Sequence, residues 1–170
     1  MQVDGLDITR TPGPELAKRL AILRQHNESI LRLTVRDLVA FGRFPHSGGR
    51  LTEADQQHID EAIHYLGLEA YQQRYVDELS GGQRQRAYVA MVMCQDTDYV
   101  LLDEPLNNID MHHAVGMMQL LRRAADEKGK TVVVVLHDIN FASCYSDQII
   151  AMRAGQVAYQ GTPEQIIRGE

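Results

Sequence analysis

Two short, unbroken apolar runs, Tyr99 to Leu102 and Thr131 to Leu136, constrain the fold of this chain more than anything else in it. A continuous hydrophobic run of that length is the pattern of a strand buried on both faces of a parallel sheet. Parallel neighbours cannot be joined by a tight turn, and the interval between these two runs holds one helix-length segment, a right-sized βαβ unit. A third run, Leu20 to Leu23, has the same character. The expectation is an α/β chain with a parallel sheet flanked by helices.

The residues that leave these runs are chemically pointed. Asp103 and Glu104 follow the first, His137 the second and Gln25 the third, all at the C-terminal edge where open α/β sheets bind their ligands. Adjacent carboxylates there can divide the work, one holding a Mg²⁺ that bridges phosphate oxygens and the other orienting or deprotonating a water. Two acids can also simply end a strand in solvent, and a lone glutamine in a loop carries no information. Upstream lies Leu79 to Gln83, LSGGQ. Ser80 is a good helix N-cap, with Ala87, Ala90, Met91 and Cys94 at the spacing of a buried helical face. The first N–H groups of such a helix lack intrahelical partners and favour an anion, and Gly81 and Gly82 have no Cβ to keep phosphate oxygens away. The competing reading is a serine-capped surface turn after a flexible glycine pair.

Taken together, LSGGQRQR and YVLLDEP resemble the signature motif and Walker B segment of ABC-transporter ATPase subunits. The resemblance implies a P-loop NTPase-like sheet carrying an inserted all-helical subdomain. It divides the chain into core residues 1–27 ending at the Q-loop, helical residues 28–95 with the signature, and core residues 96–170. It makes Asp103 the Mg²⁺-associated aspartate, Glu104 the catalytic glutamate and Gln25 the Q-loop residue reaching towards metal and attacking water. Ser80, Gly81, Gly82 and Gln83 then contact ATP held by the opposing subunit of a dimer. Leu106 to Asp110 resembles the D-loop, with Asp110 as its acid and Ile109 where leucine is commoner, and His137 matches the switch histidine. Such an imidazole can donate to a γ-phosphate oxygen and hold the nucleophilic water.

The wording TVRDLVAFGRFPH, with LNNID after the Walker B segment, is similar to the subgroup that imports ferric siderophores, haem and cobalamin, the siderophore reading being the stronger. The implied partners are membrane-spanning permease subunits docked on the helical block or near Gln25, a second ATPase subunit and, indirectly, a substrate-binding protein. The implied place is the cytoplasmic face of the cell membrane. Composition agrees with a core-forming chain: 170 residues, 44% hydrophobic and 24% charged. A net charge of −6 supplies no general field for nucleic acid, and the short interval between Gln25 and Ser80, with no long heptad insertion and no basic tail, argues against an ABC protein acting on nucleic acid or ribosomes. Cys94 and Cys144 read as core thiols. No run approaches the ~20 apolar residues that span a bilayer.

Elsewhere the chain is punctuated clearly. Asp4-Gly5 marks a hairpin near the N-terminus, and Pro14 starts a short helix. Thr34 with Asp37 and Thr52 with Asp55 are capping boxes, with Gly42 and Gly67 as helix stops. RFPHSGGR, Arg43 to Arg50, reads as a solvated loop. Met111 to Glu127 is expected to be helical, with Val115, Met118, Leu121 and Ala125 inward. Ala154-Gly155 turns a hairpin, and Thr162 to Gln165 caps a last helix running to Glu170. Nowhere is there a GxxxxGKS or GxxxxGKT loop, whose amides and lysine take most of a triphosphate's charge. The expectation is therefore the C-terminal part of an ABC ATPase subunit, inactive in hydrolysis alone and prone to associate through exposed apolar surface. The alternative is a non-catalytic module that pairs with an intact subunit.

Overall fold

The computed structural model describes residues 2–25, 32–107 and 109–167. Asn108 of the LNNID wording, the 27/28 subdomain boundary and the expected run of the last helix to Glu170 lie outside the described residues. The chain separates into two compact units, Met1–Val135 and Leu136–Glu170.

In the first unit, strands β1 (Gln2–Val3) and β2 (Leu6–Asp7) form a small antiparallel hairpin. Its turn places Asp4 and Gly5 at φ of 50° and 76°, the left-handed geometry that an Asp-Gly hairpin turn requires. Helix α1 (Gly13–Leu16) has proline in its first turn, as expected. Strand β3 (Leu20–Leu23) then enters a three-stranded parallel sheet with β4 (Tyr99–Asp103) and β5 (Thr131–Val135), in the order β3-β4-β5. The register pairs Leu23 with Leu102 and Leu102 with Val134.

Between β3 and β4 lies the helical layer, α2 (Val35–Phe41), α3 (Phe44–Ser47), α4 (Glu53–Tyr65) and α5 (Gly81–Cys94). Both threonine capping boxes form. The Asp37 backbone N–H donates to the Thr34 hydroxyl at 3.1 Å and the Asp55 N–H to the Thr52 hydroxyl at 3.2 Å. Ile59, Ala62, Ile63 and Leu66 are buried, the face the periodicity predicts. Helix α6 (Met111–Lys128) connects β4 to β5 and stops at Gly129, φ 62°.

Four sequence expectations need correction. The parallel strands are not buried on both faces. Ala21, Leu23, Val100 and Leu102 point to the side where α5 packs against β3 and α6 against β5, and they are buried. Their alternates on the other side are open, with Ile22 and Val133 each 49% exposed and Val135 42%. An apolar run shows that a strand tolerates burial on both sides; it does not supply the cover. The segment from Arg43 to Arg50 is not a solvated loop. Residues Phe44–Ser47 are helical, and Arg43 is 6% exposed, its Nε donating to Asp55 at 2.8 Å and its Nη1 to the Cys94 carbonyl at 3.0 Å. The buried line of α6 is Ala114, Met117, Met118, Leu121 and Ala124, shifted from the stripe read in the sequence because α6 faces sheet and α5 together. Cys94 is buried, but Cys144 is exposed.

Gly42 ends α2 for a different reason from the expected one. It has helical φ and ψ of −56° and −27°, so no left-handed stop is made there. A Cβ on it would lie 2.1 Å from the Met91 carbonyl oxygen of α5. Glycine is demanded by the close crossing of two helices.

The second unit contains α7 (Ile139–Tyr145), the hairpin β6 (Ile149–Arg153) and β7 (Gln156–Gly161), and α8 (Pro163–Ile167). Ala154 and Gly155 turn the hairpin at φ of 51° and 75°. The Thr162 N–H donates to the Gln165 side chain at 2.9 Å, forming the start of the expected cap.

Candidate active site

Because β3 and β4 are parallel neighbours in register, both chains leave the sheet at the same edge. Gln25, just past β3, therefore meets Glu104, just past β4, with its Nε2 donating to Glu104 Oε2 at 2.5 Å. Asp103 is the last residue of β4 and is half-buried. By strand alternation its side chain lies on the face of Leu101 and not on the helix-covered face of Leu102. Glu104 itself has φ of 49°, a left-handed backbone that costs a non-glycine residue on the order of 1 kcal/mol or more. The turn that imposes it closes through the Asn107 N–H, which donates to the Glu104 carbonyl at 3.2 Å. The Asn107 side-chain amide also donates to Glu104 Oε2. Two amides thus converge on one carboxylate oxygen and fix its position at the sheet edge.

The LSGGQ stretch forms the expected helix start. Gln83 N–H donates to the Ser80 hydroxyl at 3.4 Å and Ser80 N–H to the Gln83 side chain at 3.1 Å, a reciprocal capping box at the N-terminus of α5. Ser80 and Gly81 are exposed. Gly82 turns instead towards its own chain, where an added Cβ would come within 3.2 Å of the His113 ring. Asp110 caps α6, accepting from the His113 N–H at 3.1 Å, and its carboxylate is 2.6 Å from His113 Nδ1. The His113 backbone N–H, and then its ring, hold the Asp110 carboxyl below the ordinary carboxylate range.

Residues 1–107 match the ABC transporter family. The chain belongs to that family. It is 56% identical over 165 residues to the petrobactin import ATP-binding protein YclP of Bacillus subtilis, covering 97% of this chain and 66% of that protein. It is 58% identical over 167 residues to the petrobactin import ATP-binding protein FatE of Bacillus anthracis, covering 98% and 67%. Among solved structures, the dimeric post-hydrolysis state of the ATP-binding cassette MJ0796 bound to ADP and Pi superposes with a TM-score of 0.80 at 28% identity, over 95% of this chain and 72% of that one. The chain thus spans about two thirds of the length of these curated relatives. The α/β ABC ATPase fold read from the sequence is the one observed.

Of the residues singled out in this ABC chain, Gln25, Asp103 and Glu104 share one sheet edge, and Ser80 to Gln83 with Asp110 share the paired N-termini of α5 and α6. His137 lies in the second unit, just past β5 in the chain. Among the described residues no cluster of three or more His, Cys, Asp or Glu is arranged to hold a metal ion. Mg²⁺ does not need one, since it is commonly held by one or two protein oxygens together with phosphate oxygens and water. The hard oxygen donors of Asp103 and Gln25 suit it. Two residues escaped the sequence reading, Asn107 and His113. Asn107 stands in LNNID, and His113 is three residues past a helix cap, the spacing at which a side chain folds back on its cap.

Proposed function

We propose that this chain is the ATP-binding and hydrolysing part of an ABC importer for ferric siderophores, energising transport through a membrane permease. The observation that carries the reading is the Gln25–Glu104 contact beside Asp103, made by two segments 79 residues apart. The import of petrobactin named for relatives from two Bacillus species supports a siderophore as cargo over haem or cobalamin. Residues 1–27 and 96–170 form the nucleotide-binding core in this reading, and residues 28–95 the helical subdomain that docks on the permease. The chain then sits at the cytoplasmic membrane face, consistent with the absence of any helix, among the described residues, long and apolar enough to cross a membrane. A substrate-binding protein acts on the far side, and nucleic acid has no part.

Asp103 and Gln25 would hold Mg²⁺, which when bound would supply charge neutralisation for the phosphate oxygens. Glu104 orients and deprotonates the attacking water, its carboxylate fixed by the Gln25 amide. His137 donates to a γ-phosphate oxygen. Ser80, Gly81, Gly82 and Gln83 present the capped end of α5 to ATP on a second subunit, with Asp110 beside them. A second reading rests on the lack of any GxxxxGKS or GxxxxGKT loop in these residues: a module that offers its signature to a partner's ATP and hydrolyses none itself.

Both readings predict that this chain alone turns over Mg-ATP negligibly, and turnover abolished by Glu104→Gln would overturn that. Both also predict Mg-ATP-dependent association with an intact, P-loop-bearing ABC ATPase subunit, lost in Ser80→Arg. Association indifferent to nucleotide, or to Ser80→Arg, refutes the signature's role. Hydrolysis that vanishes from the pair when Glu104 is replaced by Gln selects the catalytic reading over the passive one.

A further inference from the structure

The ring of His113 occupies an unusual place. Its Nδ1 is 2.6 Å from Asp110 Oδ2, and its backbone N–H donates to Asp110 Oδ1 at 3.1 Å, so the side chain folds back on its own helix cap. Its Cγ lies 3.2 Å, and its Cβ and Cδ2 3.4 Å, from where a Cβ on Gly82 would be. Those distances are closer than ordinary carbon contacts at their optimum. The ring also meets His112 edge-on, with centroids 5.6 Å apart. One planar side chain therefore touches the D-loop acid on one side and the signature glycine on the other. These two elements come from separate parts of the chain, near residue 82 and near residue 110.

We propose that His113 is a positioning residue that locks the D-loop to the signature within one subunit, so that both are presented to the second subunit as a single rigid surface. The inference rests on the proposed trans role of Ser80 to Gln83 and Asp110. Its physical content is pre-organisation. If the two segments were independent, each would have to be ordered when a partner's nucleotide arrives; a ring wedged between them removes that cost beforehand. A Cβ at position 82, whose backbone is not left-handed, would press on the ring and oblige it to shift by a few tenths of an ångström.

The test has two arms. In the full chain, Gly82→Ala is made with and without His113→Ala, and the folding equilibrium is measured in urea. In a helix Ala is otherwise favoured over Gly, so Gly82→Ala should be at least about threefold less favourable with His113 present than with Ala there. Equal effects in both backgrounds would overturn the contact. In the second arm, Mg-ATP-dependent association with a P-loop-bearing ABC subunit is measured for His113→Ala, which removes the Cγ and Cδ2 beside Gly82 together with the Nδ1 tie to Asp110. His113→Phe, which fills that space without a donor, is measured beside it. Each should weaken association about fivefold or more while leaving the chain folded. Wild-type association in His113→Ala shows that the ring is idle, and in His113→Phe that the Asp110 tie is idle; either result refutes the lock. If the unaltered chain fails to associate at all, the trans-signature reading falls, while the urea cycle still decides whether the ring couples Gly82 to its surroundings.

Discussion

Replacing Gly42 by alanine isolates one packing term with its sign worked out in advance. The residue has helical dihedrals, so on backbone grounds alone alanine would stabilise the chain by about 0.4–1 kcal/mol through a less disordered unfolded state. Packing opposes this. The new methyl would lie 2.1 Å from the Met91 carbonyl oxygen, 3.1 Å from that of Val39 and 3.2 Å from the Cys94 Cβ. A carbon–oxygen contact is comfortable at about 3.3 Å or more, so α2 and α5 must separate by roughly 1 Å along their crossing. The nearest atom belongs to backbone and cannot rotate away. Overpacking of this kind costs about 1–3 kcal/mol and occasionally more, and the upper part of that range applies. The net expectation is a loss of about 2 kcal/mol, or a fall in Tm of about 4–8 °C for a chain of this size. Urea denaturation followed by far-ultraviolet circular dichroism measures it, with Gly116→Ala as the control. Gly116 sits inside α6 with helical dihedrals and nothing within 4 Å of its would-be Cβ, so alanine there should stabilise by about 0.5–1 kcal/mol. If Gly42→Ala behaves like Gly116→Ala, the close helix crossing is not what selects glycine.

Further outcomes follow from the buried pair, the thiols and the open sheet face. Arg43→Met alone should destabilise more than Arg43→Met with Asp55→Asn, because the single change leaves a buried carboxylate without its cation, whereas the double change removes both charges and keeps a side-chain oxygen for the Thr52 cap; urea midpoints of the three proteins decide it. The Thr52 N–H, then Arg43 and the Thr52 hydroxyl, hold the Asp55 carboxyl far below its usual range. Its folded pKa thus lies under the unfolded value of about 3.9, so its contribution is complete above that pH and is lost as pH falls below it. Asp55→Asn should flatten the acid limb of stability there and nowhere else. Burial pushes the Cys94 thiol up to about 12, whereas Cys144 is exposed. A thiol reagent at neutral pH should therefore titrate one group in the native chain and the second only on unfolding, and two fast groups would contradict the buried site. Val133→Lys, on the open face of the sheet, should shift sedimentation towards the 19.2 kDa monomer without lowering the urea midpoint.

Much of the fold was readable because its determinants are local. A threonine and an aspartate three residues apart fix a helix start by themselves, and so both capping boxes form where the sequence places them. Asp4-Gly5 and Ala154-Gly155 likewise adopt their turns without help from afar. What escaped is whatever depends on a partner distant in sequence. Arg43 is buried because Asp55, 12 residues on, and the Cys94 carbonyl, 51 residues on, both accept from it. Nothing within RFPHSGGR announces either partner. Gly42 was legible as a helix end but not as a crossing point, since that requires knowing that Met91 passes beside it. His113 and Asn107 were missed for a related reason: each looks like ordinary helix or loop filler until the fold brings Gly82 or Glu104 against it.

The candidate site and the sheet register are one fact seen from two sides. Leu23 is paired with Leu102, and Gln25 and Glu104 each lie two positions further along parallel neighbours. Strand alternation then sends Leu102 to the helix-covered face and Asp103 to the opposite one. A slip of one residue in β4 would bury Asp103 against α5 and α6, where an unpaired carboxylate costs several kcal/mol, and would expose Val100 and Leu102 in exchange. Hydrophobic burial of two side chains, worth roughly 1.5–3 kcal/mol each, therefore enforces the register that delivers the acids to the edge. Glu104 still has to turn out of the strand to face Gln25, and its left-handed backbone is where that turn is made. The strain sits at Glu104, the residue proposed to deprotonate the attacking water, held there by packing two positions upstream.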